Sequence, residues 1–133
     1  MKSIQARATR ALNIGSIVNA ADNSGARIVK IVSVKKGKGR KGRQMSCKIA
    51  DWVKVSVRKG KPEMKGEVFD AVVVRVRKPY RRLTGERICF TDNAVALLKD
   101  EKGNPKATQI KGAVAREISE RWKEVAKIAS III

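Results

Sequence analysis

The sequence predicts a mostly β protein: a small closed barrel followed by a C-terminal appendage of one or two short α-helices. Up to about Leu98 the apolar residues are mainly Val and Ile in short runs, separated by turn residues and basic clusters. No helical pattern lies between these runs, which favours a barrel or sandwich over βαβ units. After Gly112 the apolar spacing becomes helical. We expect one domain over 1–133, with the barrel over 15–98 and the turn and appendage over 99–133.

Six segments are strand candidates, at residues 16–20, 28–34, 53–58, 72–77, 87–91 and 94–98. In the third and fourth, Val alternates with other residues at period two, which predicts strands with one buried face. The second is apolar at nearly every position, as in a more deeply buried strand. A closed barrel is favoured over a sandwich because so short a chain cannot easily cover two sheets and closure removes exposed edges.

The appendage is predicted from apolar residues that recur at i, i+4, i+8, i+11 and i+15, namely Val114, Ile118, Trp122, Val125 and Ala129. Ser119 could instead cap a second short helix, so one helix and two helices both fit. We expect this stripe to pack on the barrel with Trp122 buried at its centre. The alternative is a stripe offered to a partner protein, with an exposed Trp122 as a binding hot spot.

The charge of the chain points to an anionic partner. Its 133 residues include 31 Lys and Arg against 12 Asp and Glu, a formal net charge of +19, with an ordinary hydrophobic fraction of 43%. Solubility alone needs a net charge of only about 2–8 in a small domain. No apolar run approaches the roughly 20 residues of a membrane span, so we expect an intracellular protein that binds nucleic acid and no membrane.

Three clusters of basic residues are predicted to contact RNA. The alternative is that they form a solvated charged surface that only keeps the protein soluble. The first lies in a glycine-punctuated stretch that has no acid from Asn23 to Ala50, and comprises Lys35, Lys36, Lys38, Arg40, Lys41 and Arg43. The second comprises Arg75, Arg77, Lys78, Tyr80, Arg81 and Arg82, and the third Arg58, Lys59 and Lys61, with Lys65 nearby. Arg can pair with phosphate, and Tyr80 could stack on an exposed base. The helix candidate carries acidic residues, which argues against a helix that reads a DNA groove. Aromatic residues make up only 4% of the chain, which argues against a stacking platform for single strands. Structured RNA, bound through its backbone, is therefore favoured.

Little in the sequence suggests catalysis, a cofactor or a metal. There is no histidine, and the carboxylates are scattered. Residues 37–42 match G-x-G-x-x-G, but neither a helical pattern nor the Lys-Ser/Thr of a phosphate-binding loop follows. Cys47 and Cys89 cannot form a zinc site by themselves. We expect two ordinary thiols, with a disulfide between them as the alternative.

Several motifs in the chain resemble those of the family of universal large-subunit ribosomal protein number fourteen. They are Ala-Asp-Asn-Ser-Gly-Ala-Arg at 21–27, Ala-Val-Val-Val-Arg at 71–75, then Arg81-Arg82, Gly85, Phe90 and Asp92-Asn93-Ala94, and Gly-Ala-Val-Ala-Arg-Glu at 112–117. They follow one another in family order from about residue 15 to 128. Lys-Gly-Lys-Pro-Glu at 59–63 and Arg121-Trp122 resemble the archaeal–eukaryotic branch, and point to an archaeal member.

This resemblance implies a five-stranded barrel in a non-enzymatic structural constituent of the cytoplasmic large ribosomal subunit. It further implies binding to large-subunit ribosomal RNA and bridging to small-subunit RNA in translation. The implied protein partners are the archaeal–eukaryotic protein twenty-four, protein three and the anti-association initiation factor six. A free-standing RNA-binding barrel, acting as a chaperone or regulator, is the alternative.

The charge distribution suggests that RNA and protein partners bind different parts of the chain. The segment from Asn23 to Ala50 is purely cationic, whereas acids are frequent from Asp100 to Glu124. An acid-bearing amphipathic segment is a poor phosphate ligand but can offer mixed charge and apolar contact to a protein. The predicted protein-contacting residues are Glu117, Glu120, Arg121, Lys123 and Glu124.

Overall fold

A computed structural model describes residues 2–37 and 39–133 of the chain. The strands are β1 (Ala6–Arg7), β2 (Leu12–Asn13), β3 (Ile17–Ala20), β4 (Ala26–Val34), β5 (Ser46–Cys47), β6 (Trp52–Gly60), β7 (Val68–Arg75), β8 (Tyr80–Arg82), β9 (Arg87–Ile88), β10 (Ala94–Leu97), β11 (Ile110–Val114) and β12 (Ala129–Ile132). The helices are α1 (Arg116–Arg121) and α2 (Lys123–Lys127).

Five strands close a barrel in the order β10-β3-β4-β6-β7, which confirms the predicted fold class. The contact between β10 and β3 is parallel and the other four are antiparallel. The two longest strands, β4 and β6, pair with each other along most of their length. Bulges interrupt their register, and such bulges bend and twist strands enough to allow closure.

The barrel core is built from Val, Ile and Ala side chains. On β6 the predicted alternation is observed, because Val53, Val55 and Val57 are buried while the residues between them are partly exposed. On β7 the prediction of a wet outer face is wrong at Val73, which is fully buried. Its carbonyl accepts a hydrogen bond from the Ala50 N–H, so the segment before β6 covers this part of the strand.

The appendage contains two helices, which decides between the alternatives left by the sequence. They meet at Trp122, whose backbone (φ −125°, ψ 74°) is not helical. Ser119 caps neither helix, since its hydroxyl donates to the carbonyl of Arg116 within α1. The predicted helical stripe also ends early, because Ala129 begins β12, which pairs in parallel with β11.

A second sheet, of order β1-β8-β9, lies outside the barrel. Residues 80–82 form β8 because β1 pairs with them from the other end of the chain. Tyr80 and Arg82 point to the buried side and Arg81 to solvent, as strand alternation requires. The predicted strand at residues 87–91 is only the two residues of β9. No helix among residues 2–37 and 39–133 is long and apolar enough to cross a membrane.

Candidate nucleic-acid interface

The basic loop, residues 35–43, follows β4 and leads towards β5. No helix begins in its described part, which agrees with the lack of a helical pattern after the G-x-G-x-x-G match. Lys36 and Lys41 have positive φ values of 56° and 52°, which turn the backbone sharply. Both side chains are exposed, as are those of Arg40 and Arg43. Lys38, the remaining predicted cation of the basic loop, lies outside the described residues.

Lys35 is engaged within the protein, unlike the exposed side chains of Lys36, Arg40, Lys41 and Arg43. Its ammonium lies 4.5 Å from the centre of the Trp52 ring and 3.5 Å from a carboxylate oxygen of Glu101. Its side chain is 23% exposed. A cation held by a ring and a carboxylate has less charge to offer an outside ligand, so Lys35 is the weakest RNA candidate among the described cations of this cluster.

The basic loop folds beside Arg10, a residue that was not selected from the sequence. The Arg10 guanidinium donates to the carbonyl of Ser46 over 3.2 Å, which fixes it next to β5. Arg10 and Arg40 line two adjoining cavities of about 450 and 310 Å³. Arg43 lines the larger cavity and Lys36 the smaller. The loop and the N-terminal segment therefore form one continuous cationic surface.

The second predicted cluster divides into exposed and internal residues. Arg77, Lys78 and Arg81 are exposed and remain candidates for RNA contact. Tyr80 and Arg82 are buried, at 1% and 5% exposure, and their predicted RNA contacts are therefore wrong for this fold. A ring so deeply buried cannot stack on a base.

Tyr80 and Arg82 bind Glu117, which was predicted to contact a partner protein and is only 2% exposed. The Arg82 Nε donates to one carboxylate oxygen over 2.9 Å, and the Tyr80 hydroxyl donates to the other over 2.8 Å. Burial, with the hydrogen bond to Glu117, raises the pKa of the Tyr80 phenol. Arg82 also donates to the Ile133 backbone oxygen over 2.6 Å. These residues attach α1 and the end of β12 to the outer sheet, so Glu117 is a structural residue.

Arg75 has a structural role as well, and its side chain is only 12% exposed. Its guanidinium donates to Asp92 and to the carbonyls of Lys111 and Ala113, on either side of Gly112. Burial alone would raise the pKa of Asp92, but hydrogen bonds from Arg75 and Asn19 outweigh it and hold that pKa below its usual value. Arg75 thus fastens β11 to the barrel.

The third predicted cluster surrounds a cavity of about 650 Å³. Six exposed cations from three separate chain segments line it: Arg27, Arg58, Lys59, Lys61, Lys65 and Lys111. None of the six has an ion pair within 4 Å among the described residues. The one acid in the lining, Asp22, is 5% exposed and accepts hydrogen bonds from Ser24 and the Leu97 N–H. Among the described lining residues, six cations therefore face a single buried carboxylate, which leaves the cavity with an excess of positive charge.

Close backbone contacts hold the wall of this cavity. A Cβ at Gly60 would lie 2.6 Å from the Gly25 carbonyl oxygen, so only glycine allows β4 and β6 to approach there. Asn23 accepts hydrogen bonds from the N–H groups of Thr108 and Gln109, both over 3.2 Å. These bonds position the segment that leads to Lys111.

Trp122 is buried in the appendage, as expected. It is 8% exposed, its indole N–H donates to the Ala50 carbonyl over 2.8 Å, and its ring meets Trp52 edge to face at 6.0 Å. Arg121 donates to the same carbonyl and to Asp51, and its side chain is 7% exposed. Its guanidinium is therefore engaged within the protein, although Arg121 still lines the cavity at the junction of the two helices.

The remaining predicted protein contacts are accessible. Lys123 and Glu124 are exposed, and Glu120 is half-buried because its carboxylate accepts the Gln5 N–H. All three line a cavity of about 320 Å³ at the junction of the two helices.

The two cysteines are free thiols, so the disulfide alternative is wrong. Burial, with the nearby Asp51, raises the pKa of Cys47 to about 12, which makes it unreactive. Cys89 is exposed. No group of three or more His, Cys, Asp or Glu residues in the described part of the chain could hold a metal ion.

Comparison with known proteins identifies the chain's family. The family model described as Ribosomal protein L14p/L23e matches residues 11–133. The chain belongs to this family. It is 57% identical to "Large ribosomal subunit protein uL14" of Nanoarchaeum equitans (strain Kin4-M), and 47% and 46% identical to the proteins of that name from Methanothrix thermoacetophila and Halobacterium salinarum. Each comparison covers all 133 residues and the full length of the relative.

Membership of the L14p/L23e family confirms several predictions made from the sequence. The chain is a structural component of the large subunit of the cytoplasmic ribosome, and it has no enzymatic role because the family is non-enzymatic. The archaeal relatives agree with the expected branch.

The basic surface of this L14p/L23e family member includes residues that sequence reasoning missed, chiefly Arg10, Arg27 and Lys111. Each is an isolated cation in its own segment, and only the fold brings it to a cluster. The sequence indicated further basic contacts only through its net charge of +19, which is larger than the number of cations in the three predicted clusters.

Proposed function

We propose that the protein binds large-subunit ribosomal RNA through the cationic surface formed by the basic loop, Arg10, Arg77, Lys78 and the 650 Å³ cavity. The observation that carries this proposal is the cavity, where six cations converge without an ion pair within 4 Å among the described residues. Folding such cations together is electrostatically unfavourable unless an anion neutralises them. A phosphate backbone supplies closely spaced negative charges, and a concave wall can follow it.

The appendage is the proposed protein-binding part, with Glu120, Lys123 and Glu124 as its contacts. These accessible residues carry both charge signs beside a cavity, as at the polar rim of a protein interface. The proposed partners are the neighbouring archaeal–eukaryotic protein twenty-four and protein three, and initiation factor six as a docking factor. Contact with small-subunit RNA would make the protein part of a bridge between the subunits.

Sedimentation of cell extract in salt that strips loosely bound proteins tests the placement in the ribosome. We expect the protein to cofractionate with large subunits. Recovery mainly in the unbound fraction would instead favour the competing function, a free-standing RNA-binding barrel.

Matched variants test the RNA-binding surface. In the first, Arg58, Lys61 and Lys111 of the cavity are replaced by Gln; in the control, Lys102, Lys123 and Lys127 are replaced by Gln. Each variant loses three positive charges, and all six substituted side chains are exposed. Each lost phosphate contact should reduce the salt slope of log K for ribosomal RNA by about 0.7–0.9, so the cavity variant should lose about 2–3 and the control much less. Equal losses would mean that net charge, not the cavity, governs binding.

A further inference from the structure

The outer sheet carries three arginines in a single row. In β1-β8-β9, Arg7 is the cross-strand partner of Arg81, and Arg81 is the partner of Arg87. Residues in register on antiparallel strands point to the same face of a sheet. The three side chains are exposed on the face opposite Tyr80 and Arg82. Only Arg81 was selected from the sequence, because Arg7 and Arg87 belong to no basic run.

This row is unfavourable for the isolated protein. Like charges placed directly opposite one another on neighbouring strands destabilise a sheet. Among the described residues, none of the three arginines has an ion pair within 4 Å. The sheet is also short, with two, three and two residues in its strands, so it has few backbone bonds to offset the repulsion.

We propose that the row of Arg7, Arg81 and Arg87 binds consecutive phosphates of one RNA strand. Neighbouring strands lie about 4.8 Å apart, so the row spans about 10 Å. Consecutive phosphates of one strand are further apart than the axial rise of about 3.4 Å per nucleotide, because the backbone winds round the helix axis. The row can therefore face about two or three consecutive phosphates. Guanidinium groups pair with phosphate oxygens in a two-pronged geometry, which suits arginine better than lysine at all three positions.

The inference rests on the proposed RNA binding and adds a second, separate site to it. The row lies on β1, β8 and β9, whereas the cavity is lined by other segments, from Asp22 to Lys111. Its contacts read the RNA backbone and carry no base information.

The test uses the central arginine, because it faces both neighbours. Arg81→Gln and Arg81→Glu are compared with Lys102→Gln, which removes an exposed cation elsewhere. Affinity for transcribed large-subunit ribosomal RNA is measured from 50 to 400 mM KCl, and the melting temperature of the free protein is measured over the same range. A binding row predicts opposite changes in these two quantities.

We expect Arg81→Gln to weaken RNA binding about tenfold and to reduce the salt slope by about 1. The free variant should melt about 2–5 °C higher at low salt, with Arg81→Glu higher still, and this gain should shrink as salt screens the charges. Lys102→Gln should change neither quantity appreciably.

The inference is overturned if RNA affinity and salt slope of Arg81→Gln equal those of Lys102→Gln, or if both Arg81 variants melt lower than the wild type. Failure of the wild-type protein to bind ribosomal RNA would refute the proposed function itself. Binding by the wild type with unchanged Arg81 variants would refute the row alone.

Discussion

Glu117→Gln should be among the most destabilising single substitutions on the appendage. The substitution keeps the shape of the side chain but removes the negative charge beside Arg82. In the wild type the side chain of Glu117 is only 3% exposed and that of Arg82 only 7%. Glu117 also accepts a hydrogen bond from the Tyr80 hydroxyl. The variant leaves the guanidinium buried without a counter-charge, which costs about 3–5 kcal/mol when one partner of a buried pair is removed.

The chain offers a matched control for this prediction. Glu124 forms an ion pair with Lys127 at 3.0 Å, but these side chains are 50% and 69% exposed. Glu124→Gln removes a charge of the same sign from the same appendage, and exposed pairs contribute only about 0–1 kcal/mol. A difference between the two variants therefore reports burial rather than the loss of a carboxylate.

Urea unfolding followed by tryptophan fluorescence measures both losses, since Trp52 and Trp122 lie in the core that joins barrel and appendage. Glu117→Gln should also lower the melting temperature by about 9–25 °C, at roughly 3–5 °C per kcal/mol for a chain of this length. Replacing the pair together, as Arg82→Met with Glu117→Leu, should recover much of the loss. A cost below about 1 kcal/mol for Glu117→Gln, equal to that of the control, would refute the reasoning.

Two further predictions concern the barrel. Because the pKa of Asp92 is lowered in the fold, its contribution to stability is present above the unfolded value of 3.8 and is lost as pH falls through the lowered value. The stability difference between wild type and Asp92→Asn should thus be constant at neutral pH and shrink only below about pH 4 in urea titrations; a difference that already shrinks near pH 6 would contradict this. Gly60→Ala places a Cβ 2.6 Å from the Gly25 carbonyl oxygen and should cost about 1–3 kcal/mol in urea unfolding. Gly66→Ala, at a positive φ of 86° where the added Cβ meets nothing within 4 Å, introduces backbone strain without a clash and should cost less; a higher or equal cost would contradict the close-approach argument.

The barrel could be predicted because its strands carry local signals. The period-two pattern of β6 and the apolar run of β4 reflect burial of one or both faces, and turn residues separate them. The short strands carry no such signal. Ala6 pairs with Arg82, 76 residues away, and two residues are too few to show a period. For the same reason the sequence could not place Ala129 in β12, since its apolar spacing also continued the helical stripe.

The candidate site was predictable as a charge excess but not residue by residue. Tyr80 and Arg82 read as a basic cluster because Glu117, which neutralises Arg82, lies 35 residues further along the chain. Conversely, Arg27 and Lys111 read as isolated cations, although the fold brings both to the same cavity. The burial of one cation and the gathering of others at a cavity both depend on contacts between segments far apart in the chain. The local composition of the sequence does not show such contacts.

Cross-linking of RNA to protein in purified large subunits, with the attached peptides mapped by mass spectrometry, tests the division of the molecule most directly. We expect RNA adducts on the basic loop, on peptides lining the 650 Å³ cavity and on the outer sheet. The exposed side of α2, with Lys123 and Glu124, should carry none. Adducts concentrated on α2, with the cavity and the basic loop unmodified, would contradict the assignment of RNA to the barrel and proteins to the appendage.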